Sequence, residues 1–221
     1  SGYCRENQSY QHHVHHRGGG YQGRRNNNYI QKLIKIYIMK NQIKEYFKKL
    51  NSTIEKLDVN IIEQIAKEFL NARDNGKHIY VFGNGGSGST ASHMVCDIVK
   101  GCSYKKNKKF KVTCLNDNIP IILAYSNDVG YDVIFEEQLK NFLNEGDVVL
   151  GISGSGNSKN VINAIEYANS RNARTIGFTG FNGGKLNEIV KIGLHVPVND
   201  MQITEDIHLI INHIFYQIFD S

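Results

Sequence analysis

From His78 to the C-terminus, short apolar runs alternate with longer amphipathic stretches, and this alternation restricts the fold more than any other feature. The runs HIYVF, FKVTCL, DVVLGI, RTIGF and IGLHVPV begin at residues 78, 110, 147, 174 and 192. Each is apolar along most of its length rather than at every second position, as strands buried on both faces are. Helical patterns lie between them near 87–100, 119–125, 132–144, 158–170 and 184–190, and a last one near 202–219. Strands separated by helices are parallel neighbours joined by crossovers. The expected fold is therefore α/β, a five-stranded parallel sheet with helices on both faces. Right-handed crossovers place the strand-to-helix loops along one edge, where open α/β sheets bind ligands.

Upstream, Ile43, Phe47, Leu50, Ile54 and Leu57 recur at steps of three and four, as do Ile61, Ile65, Phe69 and Leu70, and Gly76 stops the second series. Residues 29–76 are expected as an N-terminal helical extension that covers the sheet or offers an apolar face to another subunit. Residues 1–28 are rich in Gly, Asn, His and Arg and lack apolar periodicity. They read as a disordered leader or a cloning-derived tail, in which His12, His13, His15 and His16 could bind metal only adventitiously. The α/β domain then occupies residues 77–221.

Charge and cysteine content narrow the partners. Of the formal +5, the leader contributes +3 through Arg5, Arg17, Arg24 and Arg25 against Glu6, and much of the remainder is local to Lys105, Lys106, Lys108 and Lys109. A nucleic-acid surface would spread its cations over one face, so nucleic acid is not an expected partner. No window holds the roughly 18 consecutive apolar residues of a membrane span, and the N-terminus does not resemble a signal peptide. Cys4, Cys96, Cys102 and Cys114 show no C-x-x-C spacing, which fits a reducing cytoplasm better than a disulfide framework.

Three loops at the expected edge carry the chemistry. After the first strand come Gly83, Asn84, Gly85, Gly86, Ser87, Gly88 and Ser89. Glycine lets backbone approach a ligand closely, and the next helix aims unpaired N–H groups and its positive dipole end at the same place, so a phosphate is the natural guest. A tight turn would use glycine too. After the third strand a second cluster, Ser153, Gly154, Ser155, Gly156, Asn157 and Ser158, opens another helix. Neither loop has a Walker-type lysine, so no nucleotide cofactor is expected. After the second strand, Asn127 and Asp128 either bond sugar hydroxyls or cap a helix.

The blocks GNGGSGSTASH, SNDVGYDVIFEEQL and GISGSGNSKNVINAIEYA, in that order, resemble the sugar isomerase (SIS) domain family, within it the bacterial sedoheptulose 7-phosphate isomerases, or phosphoheptose isomerases. The resemblance covers roughly residues 40 to 220. It implies a flavodoxin-like five-stranded sheet, a sugar-phosphate substrate, a homotetramer and active sites built partly from neighbouring subunits. Carried onto this chain, the substrate contacts are Asn84, Gly85, Gly86, Ser87, Asn127, Asp128, Ser153, Gly154, Ser155, Ser158 and Glu205.

Aldose–ketose isomerisation moves hydrogen between C1 and C2 through an enediol and needs a base, an acid and charge stabilisation. His93 and Asp97, four residues apart, share a helix face. The family usually has Glu as the base at the second of these positions, and here Asp97 is one methylene shorter. On the last helix the resemblance makes His213 the acid, puts Glu205 where relatives carry Gln, and leaves His208 a structural role. Some relatives bind zinc at the four positions that here are His93, Asp97, Glu205 and His213, a donor set acceptable to Zn²⁺. Glu205 and His213 lie about 12 Å apart along a helix axis. One ion takes both only if side chains reach inward or the helix begins after Glu205. The activity implied is conversion of sedoheptulose 7-phosphate to a heptose 7-phosphate, feeding heptose synthesis for surface polysaccharide. Two other readings stay open: a non-catalytic phosphosugar-binding regulator, and a tetrameric interaction protein.

Overall fold

A computed structural model describes the backbone of residues 19–220 and the side chains of residues 31–220. The chain divides into two compact units, Ser1–Lys48 and Lys49–Ser221. Helix α1 (Gly19–Ile54) supplies the described part of the first. It begins inside the segment expected to be disordered, and residues 19–28 are helical. That stretch contains no proline to interrupt a helix propagating back from the apolar series. The histidines of residues 12–16 lie outside the described residues. Leu33, Ile38, Met39, Ile43 and Phe47 of α1 are exposed.

In the second unit α2 (Val59–Asp74) starts where the Asp58 carboxylate accepts the Asn60 N–H at 2.9 Å, and ends at Asn75 and Gly76, whose φ of +65° a side chain would resist. α2 buries Ile62, Ile65, Ala66, Phe69 and Ala72 and belongs to the same compact unit as the sheet.

The remaining elements follow in order: β1 (His78–Gly83), α3 (Gly85–Cys96), β2 (Lys111–Cys114), α4 (Ile119–Asp128), α5 (Glu136–Phe142), β3 (Val148–Ser153), α6 (Lys159–Ser170), β4 (Arg174–Thr179), α7 (Gly184–Ile189), β5 (Ile192–His195) and α8 (Met201–Asp220). All pairings are parallel, in the order β2-β1-β3-β4-β5, with Val81 opposite both Cys114 and Leu150. This is the flavodoxin-like order, and the chain reverses direction across the sheet between β1 and β3. Side chains alternate faces along a strand. Tyr80, Phe82 and Val149 pack with Leu139, Val161, Ile165 and Leu186 from α5, α6 and α7. Beneath the other face the rings of Phe69, Phe215 and Phe219 lie 5.7–5.9 Å apart, centroid to centroid. Removing one of these rings would cost about 3–5 kcal/mol.

Three boundaries depart from the sequence expectation. The helix expected over 132–144 breaks into a 3₁₀ turn at Tyr131–Val133 and α5. Ile134 and Phe135, between the two, are both buried. The helix from residue 85 changes at Asp97 into one turn of π-helix, Asp97–Cys102. The fifth strand ends at His195, ahead of Pro197, which has no N–H for a ladder.

Candidate active site

The edge at which β1 and β3 end is where the two glycine and hydroxyl loops meet. Two other helices satisfy a first N–H group with the side chain of the capping residue: Asp58 caps α2, and the Asn118 side chain accepts from Ile121 N–H at 3.3 Å on α4. Asn84 and Ser158 hold the same position before α3 and α6, yet neither makes a side-chain capping bond. Ser158 Oγ instead accepts from Ser153 Oγ at 3.1 Å. Apart from the Val161 N–H, which the Asn160 side chain takes at 2.9 Å, both helices thus keep first-turn donors and positive dipole ends free for an anion.

A cavity of about 170 Å³ lies between them, lined by Asn84, Ser87, Ile152, Ser153, Gly154, Ser155, Ser158, Met201 and Glu205. Gly85 adopts φ +52° at the turn into α3. Two other glycines make room for α8: the Glu205 carboxylate packs against Gly86, and the Met201 sulfur against Gly154, so closely that a Cβ at either would collide. Serine hydroxyls, free helix donors and an acceptor-only carboxylate together suit a polyhydroxylated phosphate ester.

Further along α3 a second group forms. His93 Nε2 lies 3.3 Å from Asp97 Oδ2, His213 Nε2 4.0 Å from the same oxygen, and the two imidazole nitrogens 3.5 Å from each other. A cavity of about 240 Å³ lined by Asp97, His213, Tyr216 and Gln217 adjoins it. Asn212, almost fully buried, donates from Nδ2 to Asp97 Oδ2 at 2.9 Å and fixes the carboxylate. Two ligands about 2.1 Å from a tetrahedral Zn²⁺ stand about 3.4 Å apart. The three spacings of 3.3, 3.5 and 4.0 Å fit such an ion.

Glu205, the fourth donor expected of a metal site, points into the serine-lined cavity and lies outside this cluster. The helix spacing explains it. Glu205 stands beside Gly86 and His213 beside His93, so α3 and α8 run side by side in the same direction, with the carboxylate about two turns from the imidazole. Ser87 and His93 are likewise separated by about 9 Å along α3. The structure therefore places the serine-lined cavity and the His93–Asp97–His213 group at two points along one helix.

Asn127 and Asp128 are not brought to either cavity. They close the last turn of α4, where Asn127 Nδ2 donates to Asp128 Oδ1 at 2.7 Å, and both are exposed. His208 is fully buried, its ring 5.4 Å from that of Phe178 and its Nε2 3.3 Å from the Thr179 carbonyl oxygen. Desolvation pushes its pKa down to about 4, which keeps it neutral and suits a structural role. A larger cavity of about 370 Å³ opens at the other ends of β1 and β2, lined by His78, Tyr80, Lys111 and Thr113 among others. There the Lys111 ammonium already bonds the Gly76 carbonyl, and His78 Nε2 pairs with Thr113 Oγ1 at 2.8 Å, so its polar groups satisfy one another.

Sequence reasoning missed Met201, Asn212, Asn160 and Tyr131. Asn212 adjoins His213 in the chain, but only the approach of α8 to α3 gives it a partner. The Asn160 amide exchanges two hydrogen bonds with Asn84, and Tyr131 Oη donates to Asn84 Oδ1 at 2.8 Å.

Comparison with known proteins agrees with this fold. The family model described as the SIS domain matches residues 44–180. A probable phosphoheptose isomerase of Thermoplasma volcanium is 33% identical over 179 residues, 81% of this chain and 91% of that protein. The phosphoheptose isomerase of Aliarcobacter butzleri is 37% identical over 161 residues, 72% of this chain and 84% of its own length. The solved structure of the phosphoheptose isomerase of Neisseria gonorrhoeae superposes with a TM-score of 0.76 at 28% identity, covering 83% of this chain and 99% of that one.

Proposed function

The chain belongs to the SIS domain family, and from that premise we propose that it is a sugar-phosphate isomerase converting sedoheptulose 7-phosphate to a heptose 7-phosphate by enediol proton transfer. The observation that carries this is the pairing of two uncapped helix N-termini around a serine-lined cavity with an Asp and two His further along α3.

In this reading the phosphate sits among Ser87, Ser153, Ser155 and Ser158 and the first N–H groups of α3 and α6, at the Gly85–Gly86 and Gly154 turns. Glu205 accepts hydrogen bonds from sugar hydroxyls, as a carboxylate must. Asn127 and Asp128 face outward within one chain and would serve at a subunit boundary. The carbon chain runs along α3 toward Asp97, which takes the proton from C1, and His213 hands a proton to the substrate oxygens. Asn212 holds Asp97 in place, so the base does not reorient as charge develops. Alternatively His93, Asp97 and His213 would hold zinc, which when bound would supply Lewis-acid stabilisation of charge on the enediol oxygens in place of the proton from His213 Nε2.

A homotetramer with shared active sites completes the reading. Two features support it. No residue of α4 is buried although the helix is apolar, and the side chains of His93 and His213 are 46% and 54% exposed, too open to exclude water from an enediol. Cys96, Cys102 and Cys114 are free thiols, consistent with cytoplasmic residence. No helix among the described residues is long and apolar enough to cross a membrane. A product heptose phosphate would feed surface polysaccharide synthesis.

Asp97→Ala and His213→Ala test the assignment. Each should abolish turnover of sedoheptulose 7-phosphate while leaving the size of the assembly unchanged in sedimentation. A normal rate in either variant removes that residue from the mechanism.

A further inference from the structure

We propose that Asn160 and Tyr131 are positioning residues that lock the Asn84 amide as a hydrogen-bond donor facing the substrate. Asn84 stands where an asparagine would ordinarily cap α3, with extended backbone angles of φ −105° and ψ 149°, yet its side chain makes no capping bond. It turns toward α6 instead. Asn84 Nδ2 donates to Asn160 Oδ1 at 2.9 Å, and Asn160 Nδ2 donates to Asn84 Oδ1 at 2.9 Å. The orientation of this reciprocal pair follows from the chain. The Val161 backbone N–H, which can only donate, meets Asn160 Oδ1 at 2.9 Å. That contact fixes which face of the Asn160 amide is oxygen, and so which face of Asn84 must be oxygen too. Tyr131 Oη adds a second donor to Asn84 Oδ1.

The count of donors and acceptors then leaves one group over. Asn84 Oδ1 has both acceptor positions filled, and Asn84 Nδ2 has one of its two hydrogens committed to Asn160. The second hydrogen remains for the cavity that Asn84 lines. Asn160 is only 2% exposed, so its amide is held out of water and cannot turn over without orphaning the Val161 N–H. Asn84 therefore offers substrate a donor and never an acceptor, while Glu205 across the same cavity offers only an acceptor. The pair reads the direction of hydrogen bonds along the substrate: an oxygen lone pair at Asn84 and a hydroxyl hydrogen at Glu205. Leaving Asn84 tied to Asn160 also keeps the α3 amides free for the phosphate.

This inference rests on the reading of the cavity as the sugar-phosphate site, and a double-mutant cycle separates the two. Asn84→Ala, Asn160→Asp and the double variant are compared by KM and kcat for sedoheptulose 7-phosphate. Asn160→Asp keeps the size and the acceptor for Val161 but removes the donor to Asn84. Asn84→Ala and Asn160→Asp should each raise KM about tenfold with kcat changed much less, and the double variant should match Asn84→Ala alone. Tyr131→Phe, at an exposed position, should raise KM about threefold and have no effect in the Asn84→Ala background, and it decides the matter if Asn160→Asp does not fold. Effects that multiply, or a normal KM for Asn160→Asp beside a raised one for Asn84→Ala, overturn the lock. A normal KM for Asn84→Ala overturns the site reading, and the lock with it.

Discussion

Replacing His208 by leucine should change how stability responds to acid. The ring is fully buried against Phe178, with Nε2 on the Thr179 carbonyl, and desolvation lowers its pKa from 6.5 to about 4. The unfolded chain takes up a proton near pH 6.5, while the folded chain resists until near pH 4. Stability attached to this residue is therefore complete above pH 6.5 and is lost as pH falls through that window. Each pH unit is worth about 1.4 kcal/mol, so by pH 5 the loss is about 2 kcal/mol. Leucine removes this proton uptake, and the Thr179 carbonyl keeps its bond from Val196 N–H at 2.9 Å. Urea unfolding at pH 7.5 and pH 5.0, at one protein concentration, reads the effect. With a slope of about 2 kcal/mol/M, the wild-type midpoint should fall by about 1 M more than that of His208→Leu. His78, also lowered by burial, titrates in both proteins and cancels in the comparison. Equal falls in the two midpoints would refute the buried neutral imidazole.

Two further outcomes follow from the site. Ser155→Ala should weaken sugar-phosphate binding about tenfold, measured by calorimetry, because a hydroxyl donor to a phosphate is lost; unchanged affinity would displace the cradle. Calorimetry should also find one zinc per chain for the wild type and none for His93→Ala, whatever the activity of either protein; equal binding by both would exclude His93 as a ligand.

The parallel sheet was legible because its signals are local. Five apolar runs and the amphipathic stretches between them sit within windows of a dozen residues, and the observed strands start within one residue of them. The two loops proposed to hold the phosphate were legible for the same reason, since Gly85, Gly86, Ser87, Ser153, Ser155 and Ser158 sit in short stretches after strands. The supporting contacts were not legible. Asn84 meets Tyr131 across 47 residues and Asn160 across 76, and Asp97 meets Asn212 across 115. None of these pairs has a periodicity or motif that announces it; sheet order and helix packing create them. The π-turn at Asp97 was hidden as well, because an i to i+5 bond leaves no pattern distinct from an α-helix over so few residues. Glu205 stands between the two cases. Its place on the last helix was readable, and the helix rise already argued against sharing an ion with His213, but only the packing of α8 on Gly86 shows which cavity it enters.

The central claim is that a sugar phosphate held by the serine loops exchanges a proton through an enediol at Asp97 and His213. Its most direct test is incubation of the purified protein with sedoheptulose 7-phosphate in D₂O, with the product followed by NMR. The account predicts a heptose 7-phosphate carrying solvent deuterium at C2, and none from Asp97→Ala. Product formed without deuterium at C2, or binding of the sugar phosphate with no conversion at all, would contradict it.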